Sequence, residues 1–471
     1  MYRKIREPRG TGREITENTN KRVQRVQETA NQMNEGIAER FKYLRTITEP
    51  CVWTDRMLTT LITGVKRGKW YSLMDKLTSE ENITKSAEKV IANKGAPGID
   101  NVTTEVYQSN IEHYNKTLLN ELKTGTYKPR PVKRVYIPKA GTNEKRPLGI
   151  PTVRDRVVQK ALKETIEVIF ENEFSKSSYG FRPQRGCKDA LREVNKLLKE
   201  GYLFVLDADI KGYFDSISHA RLIKLMEEKI SDSRIIELIR SFLKQGVMEE
   251  MNYSPNEQGT PQGGIISPLL ANIYLDGLDK QMESKGYKMI RYADDFIILS
   301  RSMNEAENIL KEVTIWMSEA TLTLNSEKTK IVNMADEGAS FNFLGYTFKR
   351  NKAKLIRFPS RKSMTKFKDK IRILTRRCNG KSLIRIIEEI KPISRGWFEY
   401  YKHSIKYTFM NIDSWCRMRL RSILKKRHGK RGVGRNCNDH KRWNNEFFEE
   451  MGFYSLEKAY NFYSQPISSN S

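Results

Sequence analysis

Apolar residues recur every three or four positions at Val23, Val26, Ala30, Met33, Ile37, Phe41 and Leu44, the stripe of an amphipathic helix packed on a larger body. Residues 1–20 are polar, carry Pro8, Gly10 and Gly12, and predict no ordered element. Tyr71 to Val90 reads as further helix, and Asn93–Asp100 as a turn punctuated by Gly and Pro. Pro131–Lys139 alternates and stops at a glycine-containing turn, which predicts a hairpin returning through Arg146–Pro151. Val157 to Phe170 has a helical period, Tyr202–Ile210 is dense enough in apolar residues for a buried strand, and His219 to Phe242 predicts two helices. Met289–Ser300 is apolar on both sides of Ala293-Asp294-Asp295, which predicts strand, tight turn, strand, and Asn304 to Glu319 is helical. Three more stripes follow. Phe367, Ile371, Leu374 and Cys378 share one helix face; Leu383, Ile386, Ile387 and Ile390 share the next, ending near Pro392; Ile412, Trp415, Leu420, Ile423 and Leu424 form the third. Strands interleaved with helices, then a helical C-terminal part, make an α/β (α+β) chain.

Composition sharpens the picture in one place. The 471 residues allow two to four domains, and no stretch is apolar enough to span a membrane. The basic N-terminus has no apolar run behind it, so no secretory signal is expected. Cys51, Cys187, Cys378, Cys416 and Cys437 lack pairing spacing, which fits a reducing, intracellular compartment. The net charge is +28, and it is concentrated: residues 349–442 hold 30 Lys and Arg against 6 Asp and Glu. Such a block predicts a polyanionic partner, nucleic acid above all.

The candidate chemistry lies in carboxylates with apolar neighbours. Asp207 and Asp209 sit two apart on the buried strand and so on one face; Asp294 and Asp295 sit at the tip of the apolar hairpin. An Asp-Asp turn alone means little, but carboxylates between buried strands are costly unless a cation or donors compensate. If the hairpin tip meets the strand end, Asp209, Asp294 and Asp295 converge as oxygen ligands suited to two Mg²⁺ ions. Two metals about 4 Å apart serve an in-line phosphoryl displacement, which is nucleotidyl transfer.

The ordered motifs carry a resemblance. GAPGID at 95–100, YIPKAGTNEKRPLGIP at 136–151, SYGFRPQRGC at 178–187, DIKGYFD at 209–215, GTPQGGIISPLLANIYL at 259–275, YADDF at 292–296, LTLNSEKTK at 322–330, FLGYTF at 343–348 and RGWFEYY at 395–401 occur in this order. Over roughly residues 50–450 the chain resembles the reverse transcriptase/maturase encoded within bacterial or organellar group II introns.

The resemblance implies a right-hand polymerase. Its parts would be an N-terminal extension over 1–50, fingers over 51–200, palm over 201–348, an α-helical thumb (domain X) over 349–430 and a short basic DNA-binding-like region over 431–471. It implies metal binding by Asp209, Asp294 and Asp295, with two Mg²⁺ ions and Mn²⁺ as a substitute. Lys139 and Arg146 would hold the incoming dNTP triphosphate, and Phe214 would reject a ribose 2′-hydroxyl, unless it is a plain core aromatic. Gln262 would lie beside the nascent base pair, Gly263 would let the backbone approach closely, and Tyr292 would lie beside the primer end. Arg182 would touch template phosphates or form a structural salt bridge; the sequence leaves both open, as it does for Arg185. Lys425, Lys426, Arg427, Lys430, Arg431 and Arg435 form a candidate phosphate-contacting run. Cys416, His428, Cys437 and His440 do not match a standard zinc spacing, and no paired Cys-x-x-Cys of an HNH endonuclease is present, so no endonuclease is expected.

The implied function is RNA-directed DNA synthesis on group II intron RNA during intron mobility, together with maturase binding of the parent intron RNA. The partners would be that RNA, target DNA and dNTPs, with no membrane, in the cytoplasm of a bacterium or in an organelle. The alternatives are a reverse transcriptase of a CRISPR-associated or diversity-generating system, and an RNA-binding splicing cofactor whose polymerase activity is secondary.

Overall fold

The computed structural model describes residues 35–65, 68–138, 145–250, 252–352 and 354–465. The polar 1–20 stretch, the first half of the amphipathic stripe (Val23 to Met33) and Lys139 lie outside the described residues. Within them the stripe continues as a helix over 35–47, whose Leu44 is buried and whose Phe41 packs on the main core.

The fingers hairpin forms as its alternation predicts, with β1 (Val132–Pro138) antiparallel to β2 (Lys145–Ile150). Helix α1 (Val153–Glu171) follows; the Thr152 hydroxyl accepts from the Asp155 N–H and so caps its first turn. Fourteen of its nineteen residues are buried, which makes it the axis of the main core. Helix α2 (Cys187–Lys199) leads into β3 (Phe204–Asp209). The short strands β4 (Val247–Glu249) and β5 (Asn252–Ser254) complete a fingers sheet of order β2-β1-β4-β5.

Helix α3 (Ser267–Ser284), β6 (Lys288–Tyr292), β7 (Asp295–Ser300), helix α4 (Met303–Glu319) and β8 (Lys330–Asn333) build the palm, an antiparallel sheet of order β6-β7-β3-β8. Leu206, Ala208, Phe296 and Ile298 face the helical core on one side. Val205, Ile290, Ile297 and Leu299 face α2 and a second sheet on the other. With both faces covered, β6 and β7 read as continuous apolar runs rather than alternating ones. The second sheet, of order β11-β10-β9, comprises β9 (Ser340–Phe343), β10 (Tyr346–Asn351) and β11 (Lys354–Pro359). Its β10–β11 hairpin spans residue 348, the expected palm–thumb boundary.

The thumb consists of α5 (Arg361–Leu374), α6 (Leu383–Tyr401) and α7 (Lys406–Arg427) around a separate core. Two expectations fail here. Cys378 lies beyond the end of α5 and is exposed, off the helix face. Helix α6 does not stop at Pro392 but runs through it. Pro392 and Glu388 are both exposed, so the Glu388 carbonyl that loses its partner faces water, while Ile387, Ile390, Ser394 and Phe398 stay buried on either side. Nor is 431–471 a separate basic tail where described. Trp443, Phe448, Phe453 and Leu456 join the thumb core, and the buried Asp413 carboxylate accepts from the Ser455 hydroxyl at 2.7 Å and the Leu456 N–H at 3.1 Å. Helix α8 (Leu456–Ser464) closes this unit against α6 and α7.

Candidate active site

The β6–β7 hairpin turns through Ala293 and Asp294, because Tyr292 pairs with Asp295 across it. Ala293 takes a left-handed backbone, φ 60°, which an alanine disfavours. Three groups hold it there. The Arg291 guanidinium, fully buried, donates to the Ala293 carbonyl at 2.9 Å. The same side chain donates to Asp279 Oδ1 at 2.8 Å and to Asn272 Oδ1 at 2.9 Å. Asn272 in turn donates to the Gly180 carbonyl at 2.8 Å, and a Cβ at Gly180 would lie 2.4 Å from the Ala293 nitrogen. The turn is therefore built on a buried ion pair and a glycine that only bare backbone can fit.

Antiparallel register sets Asp295 directly opposite Asp209. Asp209, Asp294 and Asp295 line one cleft together with Arg146, Phe214, Gln262, Gly263, Tyr292 and Lys328. The three carboxylates that the sequence singles out thus line the same cleft. Lys328 Nζ lies 2.7 Å from Asp209 Oδ2, and Asn325 Nδ2 is 3.5 Å from the same oxygen. Burial, then the charges of Asp207, Asp294 and Asp209, pushes Asp295 up to about 7, against the pull of the Leu344 N–H. Burial raises Asp294 as well; Asp209 adds to this, and Arg146 and Lys328 oppose it. Asp207 is pushed up to about 6 by burial, with Lys330 opposing and Asp209 adding.

Lys328, inside the LTLNSEKTK motif at 322–330, lines the cleft although sequence reasoning assigned it no role. Asp207, on the face of β3 that carries Asp209, acts on Asp295 through its charge from outside the cleft lining. The donor set fits divalent cations: Asp209, Asp294 and Asp295 share the cleft, burial resists the charge of Asp294 and Asp295, and Lys328 Nζ sits on Asp209. Among the described residues, no group of three or more His, Cys, Asp or Glu side chains is already arranged to hold a metal ion. The set Cys416, His428, Cys437 and His440 is likewise unassembled.

These shifts fix a pH dependence. Asp295 and Asp207 hold their protons more tightly folded than unfolded, so between about pH 4 and pH 7 the folded state binds more protons and stability falls as pH rises. Without metal, Tm should drop from about pH 5 to about pH 7.5, and Mg²⁺ should restore it at the upper end. A metal-free Tm that climbs across this window contradicts the carboxylate cluster.

The remaining candidates divide. Phe214 is half-buried, edge-on to Tyr213, and its carbonyl accepts from the Thr260 N–H at 2.7 Å, which ties the 259–264 loop beneath it. Gln262 Nε2 donates to both oxygens of Asp215 at 3.2 Å. Gly263 has φ 121°, and a Cβ there would lie 2.2 Å from the Gly149 carbonyl, so this loop needs glycine to dock on β2. Arg146 stands opposite Ile137 in the fingers hairpin. Tyr292 packs against Phe181 at 6.1 Å.

Arg182 does not reach a template. It is buried, pairs with Glu171 at 2.7 Å and donates to the Ser178 carbonyl at 3.0 Å, the structural of the two alternatives. Arg185 is tied to the Lys176 carbonyl at 2.8 Å. Lys425 is a second correction: it is buried in the last turn of α7 and pairs with Asp439 at 2.7 Å, so it cannot contact phosphate. Lys426 is exposed with Nζ 3.0 Å from Cys378 Sγ, and Arg427 is exposed but donates to the Asn379 carbonyl at 3.3 Å. Lys430, Arg431 and Arg435 are exposed on the loop after α7.

A family model described as reverse transcriptase (RNA-dependent DNA polymerase) matches residues 137–348, and one described as group II intron, maturase-specific domain matches residues 364–443. Protein YkfC of Escherichia coli (strain K12) is 32% identical over 323 residues, covering 60% of this chain and 84% of that protein. Group II intron-encoded protein LtrA of Lactococcus lactis subsp. cremoris is 41% identical over 229 residues, 48% of this chain. That stretch is 37% of LtrA, so the chain spans little more than a third of the length of this relative. Among solved structures, a partial Cas6-RT-Cas1–Cas2 complex overlaps 52% of this chain and 42% of that one at 26% identity, with a TM-score of 0.34. Among the described residues no helix is long and apolar enough to cross a membrane.

Proposed function

The chain belongs to the group II intron reverse transcriptase/maturase family, and from that premise we propose that it copies its parent intron RNA into DNA and binds that RNA to promote folding and splicing. The observation that carries the first activity is the cleft shared by Asp209, Asp294, Asp295, Arg146, Phe214 and Gln262. The maturase-specific match over 364–443 carries the second and favours an intron protein over a CRISPR-associated or diversity-generating reverse transcriptase.

Family members use divalent metal. In this reading Asp209, Asp294 and Asp295 would hold two Mg²⁺ ions, with Mn²⁺ as a substitute, and such ions would supply Lewis-acid activation of a primer 3′-hydroxyl and charge stabilisation for leaving pyrophosphate. Arg146, together with Lys139, binds the triphosphate, where positive donors meet the charge that develops on the transferring phosphate. Gln262, fixed by Asp215, borders the nascent base pair, and Tyr292 supports the primer end. Parent intron RNA, target DNA and dNTPs are the partners.

In this reading Phe214 crowds a ribose 2′-hydroxyl, so Phe214→Ala should admit ribonucleotides. The ratio of kcat/KM for dTTP over rUTP on a poly(rA) template should fall at least about tenfold, the scale of a lost steric contact of 1–3 kcal/mol. An unchanged ratio would make Phe214 a core aromatic only.

A further inference from the structure

Strands β9 and β10 are joined by a two-residue turn: Phe343 pairs with Tyr346, and only Leu344 and Gly345 lie between them. Both take a left-handed backbone, φ 47° and 81°. A tight hairpin prefers this turn, but its first position favours Asn, Asp or Gly, and a leucine there is strained. Two thumb helices hold it. From the end of α6, the Tyr400 hydroxyl donates to the Leu344 carbonyl at 2.8 Å, and the Tyr400 carbonyl accepts from the Tyr346 hydroxyl at 2.6 Å. From the start of α5, the Ser360 N–H and the Ser363 hydroxyl donate to the Gly345 carbonyl at 2.8 and 3.2 Å. A Cβ at Gly345 would lie 2.8 Å from the Tyr401 hydroxyl, so the thumb fits the turn closely. Two of the ordered motifs, FLGYTF at 343–348 and RGWFEYY at 395–401, meet here. The turn also reaches the chemistry. Leu344 and Asp295 together line both the catalytic cleft and the recess at the start of α5. The Leu344 N–H acts on the Asp295 carboxylate and opposes the burial that raises it.

We propose that Tyr400 is a positioning residue for the catalytic centre: its hydroxyl fixes the backbone of Leu344, and through it the Asp295 carboxylate. A thumb side chain thus reaches the metal site through one backbone residue, touching neither metal nor substrate itself. The inference rests on the reading of Asp295 as a metal ligand given above. A strained residue persists only where its surroundings over-determine it, and here the bonds that do so come from the thumb. The N–H and the carbonyl of Leu344 flank one α-carbon between planar peptides, so holding the carbonyl and the left-handed φ also aims the N–H. The Tyr400 hydroxyl has one further neighbour, the Cys187 thiol, which also meets the Tyr292 hydroxyl.

The test reads Mg²⁺ binding without turnover. The full chain is loaded with poly(rA), dideoxy-terminated oligo(dT) and dTTP, and the apparent Mg²⁺ dissociation constant is taken from the rise of Tm with Mg²⁺ concentration. Tyr400→Phe keeps the ring and removes the hydroxyl. It should raise that constant about three- to tenfold, the scale of one lost hydrogen bond, and in primer extension its deficit should shrink as Mg²⁺ is raised. Tyr346→Phe frees Tyr400 from its other end; it should shift the constant the same way by less, and it keeps the test decisive if Tyr400→Phe does not fold. Two controls separate positioning from plain stability. Arg357→Gln removes a 3.0 Å bond from the Arg357 side chain to the His403 carbonyl, a thumb contact away from the turn, and should lower Tm while leaving the constant within about twofold. Cys187→Ala spares the Leu344 bond and should also leave it unmoved. A shift in either control equal to that of Tyr400→Phe overturns the assignment, as does an unchanged constant in both tyrosine variants of a protein that responds to Mg²⁺. A wild type whose Tm ignores Mg²⁺ and Mn²⁺ and that adds no dTTP overturns the metal reading and this inference with it.

Discussion

Asp294→Asn/Asp295→Asn should reduce dTTP incorporation on poly(rA)/oligo(dT) by at least about a thousandfold, since bound metal contributes several kcal/mol to the transition state and each 1.36 kcal/mol is tenfold. The same variant should not be less stable. Burial and mutual repulsion push Asp295 up to about 7 and raise Asp294, so neutral amides relieve a cost that the native carboxylates carry without metal. At about pH 8 its metal-free Tm should equal or exceed that of wild type. Stimulation of intron splicing should also persist, because it depends on the thumb and not on these oxygens. Lost splicing in a folded variant would show that the two activities are not separable in this way.

Arg291→Leu should be the most damaging single change outside the carboxylates. It leaves Asp279 fully buried with no cation and strips the donors from Asn272 Oδ1 and the Ala293 carbonyl. Breaking a buried pair on one side costs about 3–5 kcal/mol, read as a fall in the urea midpoint at unchanged slope. The left-handed turn at Ala293 loses its restraint as well, so any folded remainder should show depressed kcat. Arg291→Lys restores a charge beside Asp279 but cannot reach three acceptors at once, and should recover stability more than activity. Equal recovery of both would mean that Arg291 stabilises the core without shaping the turn.

What was legible in the sequence follows from where its information is local. The palm hairpin could be read because two apolar runs flank Ala293-Asp294-Asp295, and the convergence of Asp209 with Asp295 follows once β3 and β7 pair in register. The strands β9 to β11 escaped because β9 is only four residues long and β10 and β11 interleave Lys349, Arg350, Lys354 and Arg357 with their apolar residues. Pro392 misled because its effect depends on whether the carbonyl it orphans faces core or water, which periodicity alone does not decide.

The buried cations were the larger miss. Arg182 finds Glu171 at a separation of 11 residues, Arg291 finds Asp279 at 12 and Lys425 finds Asp439 at 14, spacings that no helix or strand period reveals. The dense basic block therefore overstates the charge available to a polyanion: Arg417, Arg421 and Lys425 are buried within the thumb unit. The exposed cations of the block include Arg361, Lys362 and Lys366 on α5 and Lys430, Arg431 and Arg435 on the loop after α7.

The most direct test of the account is primer extension by the wild-type protein on poly(rA)/oligo(dT) with dTTP and Mg²⁺. The account predicts elongation of the oligo(dT) strand, dependent on both template and metal. A folded wild-type protein that binds the hybrid yet adds no nucleotide with either Mg²⁺ or Mn²⁺ would contradict it.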